Sequence, residues 1–180
     1  MVETIKKDLE NMLTNFRYEH SLLVAEEARL LAKHYNLDSE KAYLAGLVHD
    51  IAKDLIQEEE AYYINKYNIE YNKEYNEVLH SIIGYYLVKE KYNLDDEICN
   101  SIKYHTLGNT NMTLFDKIIF VADKIGRVNK NSFLDNIKLL AYKDIDSAIK
   151  ECLEYVEKKL HKLNKPFHED SIRLLEQLKK

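Results

Sequence analysis

Six side chains in this sequence could hold a metal ion: His20, the adjacent pair His49 and Asp50, His80, His105 and Asp123. Each lies in or beside an apolar stretch with helical spacing. Neutral imidazole and carboxylate together suit a divalent transition metal, and ligands from separate helices can converge inside a bundle. In RYEHSLLVAEEARLLAKHY, Val24, Ala28 and Leu31 continue one helical face and carry His20 inward. The pair closes the run AYLAGLVHDIAKD, and adjacent helical side chains diverge by about 100°. His49 and Asp50 can therefore share an ion only at the edge of a helix, with Lys53 one turn beyond. His80 stands in VLHSIIGYYLV, one turn before Gly84, which is expected to leave space beside the imidazole. His105 ends ICNSIKYH. Asp123 sits in LFDKIIFVADKI, where an unpaired carboxylate would be costly and a metal would remove the cost. Asp116, His34, His161 and His168 read as ordinary residues, Asp116 because a carboxylate is at home near a helix start.

The elements that must position these ligands are helices. Four glycines and one proline leave too few turn-makers for a many-stranded protein, and apolar stripes of period 3.6 recur through most of the 180 residues. The periodicity predicts an all-α chain with helices over about residues 3–15, 18–35, 39–53, 57–67, 74–91, 95–105, 112–128, 131–140, 144–163 and 168–179. Asp38, Ser39, Asp95 and Asp96 read as helix starts, Gly108 as a break after His105, and Pro166 as the separator of the last two helices. No repeat, low-complexity tract or Gly/Pro/Ser-rich linker divides the chain. One domain over 1–180 is expected, a metal-binding part over about 18–128 with C-terminal helices over about 131–180 packed on it. The run AYYINKYNIEYNKEY, rich in the chain's fourteen tyrosines, reads as an aromatic helical cover, with stacking of one ring on a base as the alternative.

A net charge of −5, with Lys and Arg interspersed among Asp and Glu, argues against a nucleic-acid surface. The two cysteines, Cys99 and Cys152, are too few and too far apart for a disulfide framework and read as reduced thiols. The N-terminus is acidic and amphipathic, and no apolar run reaches the length of a membrane span, so a cytoplasmic location is expected.

At its histidines and aspartates the chain resembles the HD-domain phosphohydrolase superfamily, whose signature is a His, an adjacent His-Asp and a distant Asp on separate helices. The segments GLVHDIAKD, LHSIIGYYL, IKYHTLG, IFVADKI, KDIDSAI and KPFHEDSIRLLEQL look most like the bacterial YqeK group, symmetrical dinucleoside tetraphosphate hydrolases. That resemblance implies a single-domain helical bundle of the HD type. It implies one iron on His20, His49, Asp50 and Asp123, and nucleotide phosphates at His80, His105 and Thr106; His20, Lys53, Asp123 and Arg127 are expected to face substrate as well. Manganese, nickel, cobalt or zinc would suit the same ligands. One segment departs from the pattern. Where the family continues after its last Asp with an acid, a proline and an arginine, this chain has Gly126, Arg127 and Asn129, and a later family arginine corresponds to Lys138. Arg127 or Lys130 is expected to restore the charge.

With that ligand set, a divalent ion is neutral overall yet Lewis-acidic, and it makes hydroxide available near neutral pH to attack a phosphorus. Asp123, or the oxygen of Asp50 outside the ligand set, would orient or deprotonate the water. His80 and His105 either offset phosphate charge when protonated or hold a second metal when neutral; sequence leaves both open. Lys53 is equally a phosphate contact or a solvated residue at a helix end. The expected activity is symmetrical cleavage of diadenosine tetraphosphate to two ADP. The alternatives are an HD nucleotidase or phosphodiesterase acting on mono- or cyclic nucleotides, and a non-catalytic nucleotide sensor. Oligomeric state, including a homodimer, and adenine against guanine preference are not encoded in any motif.

Overall fold

A computed structural model describes residues 1–127 and 131–180. Among these residues there are ten α-helices and no strand: α1 (Val2–Met12), α2 (Asn15–His34), α3 (Ser39–Val48), α4 (Gln57–Tyr67), a short 3-10 helix (Lys73–Val78), α5 (Leu79–Tyr92), α6 (Asp96–Tyr104), α7 (Leu114–Ile125), α8 (Ser132–Ala141), α9 (Ile145–Lys162) and α10 (Glu169–Leu178). The all-α class follows the periodicity, and the ends follow side-chain chemistry. Asp38 accepts from the backbone N–H groups of Glu40 and Lys41 at the start of α3, and Asp95 from that of Ile98 at the start of α6. Thr113 and Asp116 form a reciprocal capping box on α7, which accounts for the buried Asp116. Asparagine does the work glycine usually does at helix stops. Asn36, Asn68, Asn93 and Asn164 all take left-handed backbone angles, joined by Gly108 at φ 74°.

α7 runs through the core, burying Phe115, Ile118, Ile119, Phe120, Val121, Ala122 and Ile125, and it packs on α2, α6 and α9. α2 lies against α3 through small residues. A Cβ on Gly46 would fall 2.8 Å from the Ala25 Cα, so glycine is required for the two backbones to come this close. Gly126, just after α7, is held similarly against Val24, where a Cβ would stand 2.8 Å from the Cα.

Two expectations change. The helix expected over 39–53 stops at Val48. Bonds from Ile51 N–H to Val48 O and from Lys53 N–H to Asp50 O then fold residues 48–53 into tight turns. Gly84 does not make room for His80; it admits α6, because a Cβ there would lie 3.0 Å from Ile102 Cγ2. The tyrosine-rich α4 lies as the expected cover: Tyr63 and Ile64 pack against the core, and Tyr67 stacks on Tyr86 of α5 at 4.1 Å. Cys99 and Cys152 are free and buried. No helix among the described residues is long and apolar enough to cross a membrane.

Candidate active site

Five elements bring the six predicted ligands together: α2 carries His20, the turn after α3 carries His49 and Asp50, α5 carries His80, the end of α6 carries His105, and α7 carries Asp123. His49 and Asp50 sit at the end of α3, the helix edge at which adjacent side chains can both reach the site. The imidazoles share one device. Each Nδ1 faces a backbone carbonyl: Gly126 O for His20 at 2.8 Å, Gly46 O for His49 at 2.7 Å, Glu77 O for His80 at 3.0 Å and Ile102 O for His105 at 2.6 Å. A carbonyl only accepts, so the Nδ1 of His20, His49 and His105 carries a proton and their Nε2 turns its lone pair inward, whereas His80 Nδ1 also lies 3.0 Å from the Lys53 ammonium, a donor.

What those lone pairs meet is more acceptor. His20 Nε2 lies 3.1 Å and His49 Nε2 3.5 Å from Asp123 Oδ1. Asp50 Oδ1 lies 3.1 Å from His80 Nε2 and 3.4 Å from His105 Nε2, while its Oδ2 is 3.7 Å from His49 Nε2. The Nε2 of His49 is buried without a hydrogen-bond partner. Acceptors this close require protons or a cation between them. Two groups have metal-ligand spacing, His20 with His49 and Asp50, and Asp50 with His80 and His105, and Asp50 belongs to both. The donor set therefore fits a divalent ion.

The charges of the metal-free site follow. Burial opposes ionisation of Asp50, but His49, His105 and His80 outweigh it and hold the carboxyl well below the usual range. Asp123 is likewise held low, burial being overcome by Lys124, His20 and His49. His49 is raised despite its burial, because Asp50 and Asp123 favour its charged form. Burial lowers His80 to about 4 and also lowers His105, with Asp50 offsetting only in part. Lys53 is lowered by burial, and its Nζ sits 3.2 Å from His80 Nε2 and 3.3 Å from Glu77 O.

Five of the six, His20, Asp50, His80, His105 and Asp123, line an open cavity of about 750 Å³, with His49 buried behind them. Arg17, Lys53, Lys124, Arg127, Lys159 and Lys165 supply positive charge around it, and Phe16, Phe133, Tyr155, Val156 and Leu160 supply apolar wall. Thr106 is placed as expected, its hydroxyl 3.0 Å from His105 Nε2 and 3.4 Å from His80 Nε2. Arg127 lines the cavity and is exposed. Lys138 does not line it; its ammonium pairs with Glu27 on α2 at 2.6 Å. Asn129 and Lys130 lie outside the described residues. No tyrosine of α4 reaches the cavity, and the aromatic rings that do are Phe16 and the stacked pair Phe133 and Tyr155.

Two cations at the site carry no sequence expectation. Lys124 contacts Asp123 Oδ2 at 2.6 Å and the carbonyl of His105 at 3.3 Å. Arg17 lies 3.5 Å from Asp50 Oδ2 and donates through Nε to Asp54 Oδ1 at 2.8 Å. The only signal for either was proximity in the chain: Lys124 adjoins a ligand, and Arg17 precedes His20 by nearly one helical turn.

Known proteins give the same arrangement a family. The HD domain family matches residues 17–127. The chain is 34% identical over 169 residues to the symmetrical bis(5′-nucleosyl)-tetraphosphatase of Halalkalibacterium halodurans, a match covering 92% of this chain and 90% of that protein. It is 33% identical over 166 residues to the enzyme of the same name from Bacillus subtilis, covering 91% and 89%. A crystal structure from Clostridium acetobutylicum, described as a predicted HD superfamily hydrolase involved in NAD metabolism, superposes with a TM-score of 0.92 at 33% identity, over 99% of this chain and 96% of that one. All six converging ligands fall inside the matched segment, and the chain belongs to the HD domain family.

Proposed function

We propose that the protein hydrolyses dinucleoside tetraphosphates symmetrically, diadenosine tetraphosphate giving two ADP, at one divalent ion held by His20, His49, Asp50 and Asp123. The observation that carries this reading is the convergence of imidazole nitrogens and carboxylate oxygens from six side chains, with His49 Nε2 buried and unpartnered, beside a cation-rimmed cavity. The named relatives supply the substrate class. Iron is the ion we assign, with manganese, nickel, cobalt or zinc suited to the same ligands. A second ion at His80 and His105 is disfavoured by the Lys53 ammonium 3.2 Å from His80 Nε2.

A bound divalent ion supplies Lewis acidity for a phosphoryl oxygen and brings the pKa of water towards neutrality. Asp123, or the Asp50 oxygen outside the ligand set, orients the attacking water and takes its proton. His80 and His105, neutral in the free protein, gain protons as phosphate anions arrive and then donate to them through Nε2. Thr106 donates its hydroxyl beside them, and Lys53 adds a charge on the same flank. Lys124 offsets the charge of Asp123. A nucleoside diphosphate is a fair leaving group, so no strong general acid is required.

We read the chain as one domain, in which α9 closes the cavity wall with Cys152, Tyr155 and Val156. We place it in the cytoplasm, acting on a small nucleotide without nucleic acid or membrane, alone or as a homodimer. The test is anaerobic incubation with diadenosine tetraphosphate, with iron(II) or manganese(II) and with chelator. Two ADP formed only with metal is the expected result. ATP plus AMP, or no turnover by metal-loaded protein, would reject the reading, and release of inorganic phosphate or a monophosphate from other nucleotides would favour the nucleotidase or phosphodiesterase alternative.

A further inference from the structure

The first turn of α2 offers the cavity an aromatic ring and a guanidinium that the fold does not need. Phe16 is 71% exposed and lines the cavity. A single exposed phenyl ring is ordinary on a protein surface, but this one stands on the lining of the cavity next to Arg17, where a ligand in the cavity would cover it. Arg17 is held by one edge. Its Nε donates to Asp54 Oδ1 at 2.8 Å, and Asp54 Oδ2 is itself fixed by the backbone N–H and hydroxyl of Thr14 at 2.9 and 3.1 Å. The outer nitrogens stay available: NH1 reaches only 3.5 Å from Asp50 Oδ2, and NH2 makes no hydrogen bond among the described residues.

Asp50 divides this cation from the others. Its Oδ1 faces His80 and His105, the flank that also holds Lys53 and Thr106, whereas its Oδ2 faces His49 and Arg17. A tetraphosphate cut at its midpoint presents two identical halves to a single centre, so one set of contacts serves only half of it. We propose that Phe16 and Arg17 form the second half-site, which takes the other nucleoside diphosphate of the substrate. The Arg17 fork contacts its phosphates, Phe16 stacks on its base, and Asp54 is the positioning residue that aims the guanidinium. This rests on the tetraphosphate reading above. It makes the free product a ligand of the His80 flank, with the α2 contacts engaged only by the full-length substrate.

The test compares two probes on manganese-loaded protein by calorimetry: ADP, and a diadenosine tetraphosphate analogue whose central bridging oxygen is a methylene. Wild type is expected to bind the analogue more tightly than ADP. Phe16→Ala and Arg17→Ala are each expected to weaken the analogue about tenfold while changing ADP affinity less than about twofold, with metal content unaltered. Asp54→Ala is expected to repeat part of the Arg17 loss on the analogue alone. Phe16 is outside the core, so its removal tests the site without threatening the fold. Equal weakening of both probes, or of neither, overturns the inference while leaving the substrate reading intact. A wild type that cleaves no tetraphosphate and binds the analogue no better than ADP overturns both.

Discussion

Asp50 is the side chain shared by both groups of metal-ligand spacing, so its removal separates them. Asp50→Ala is expected to abolish metal retention and to lower turnover by more than the ~10–100-fold typical of residues that merely support ligands. Elemental analysis alongside the activity assay checks it; metal retained at wild-type stoichiometry would contradict the assignment. His80 gives a pH signature in the metal-free protein. Burial holds it down to about 4, below the ordinary imidazole value of 6.5, so between these values the unfolded chain binds the proton and the folded one does not. Stability is therefore expected to fall as pH drops through that window, and His80→Asn to flatten that part of a denaturation-versus-pH curve. At this scale the sequence singled out the six side chains that the fold brings together, because a histidine or aspartate in an apolar helical run is costly without a partner. It was silent on Arg17 and Lys124, because a basic residue beside a polar one on a helix looks the same whether it meets solvent or a buried carboxylate.

Between elements, the geometry depends on how closely backbones approach. Gly46→Ala would put a methyl 2.8 Å from the Ala25 Cα and 3.0 Å from its nitrogen, and backbone cannot yield as a flexible side chain does. We expect about 1–3 kcal/mol of lost stability in urea denaturation, with weaker metal binding because α2 carries His20 and α3 leads into His49. A neutral substitution would mean that these helices pack less tightly than described. Helix existence was legible from periodicity, and Asp38, Asp95 and Gly108 marked ends correctly. The end of α3 was not, because the apolar run LVHDIA continues a helical pattern while the chain already turns. Gly84 shows a related limit: the sequence announces that a glycine makes room, but only the packing reveals that the room is for Ile102 rather than for an imidazole.

For the whole molecule, an ion at the proposed centre would clasp α2, the turn after α3 and α7, elements distant in sequence. A ligand that binds only the folded state at a hundred times its Kd adds about 2.7 kcal/mol. For a chain of this size that raises the melting temperature by roughly 5–10 °C, which chelator should reverse; an unchanged thermal scan would contradict a site built only by folding. The cavity itself was beyond sequence, since its cations and apolar wall come from α2, α7, α8 and α9 with no common motif. The departure after Asp123 also resolves only at this scale. Gly126 packs on Val24 and lends its carbonyl to His20, Arg127 lines the cavity, and Lys138 is spent on Glu27.

The most direct measurement is anomalous diffraction at the manganese or iron edge from anaerobically metal-loaded crystals. The expected result is one peak within ligand distance of His20, His49, Asp50 and Asp123. A peak confined to His80 and His105, or none at saturating metal, would contradict the centre on which the account rests.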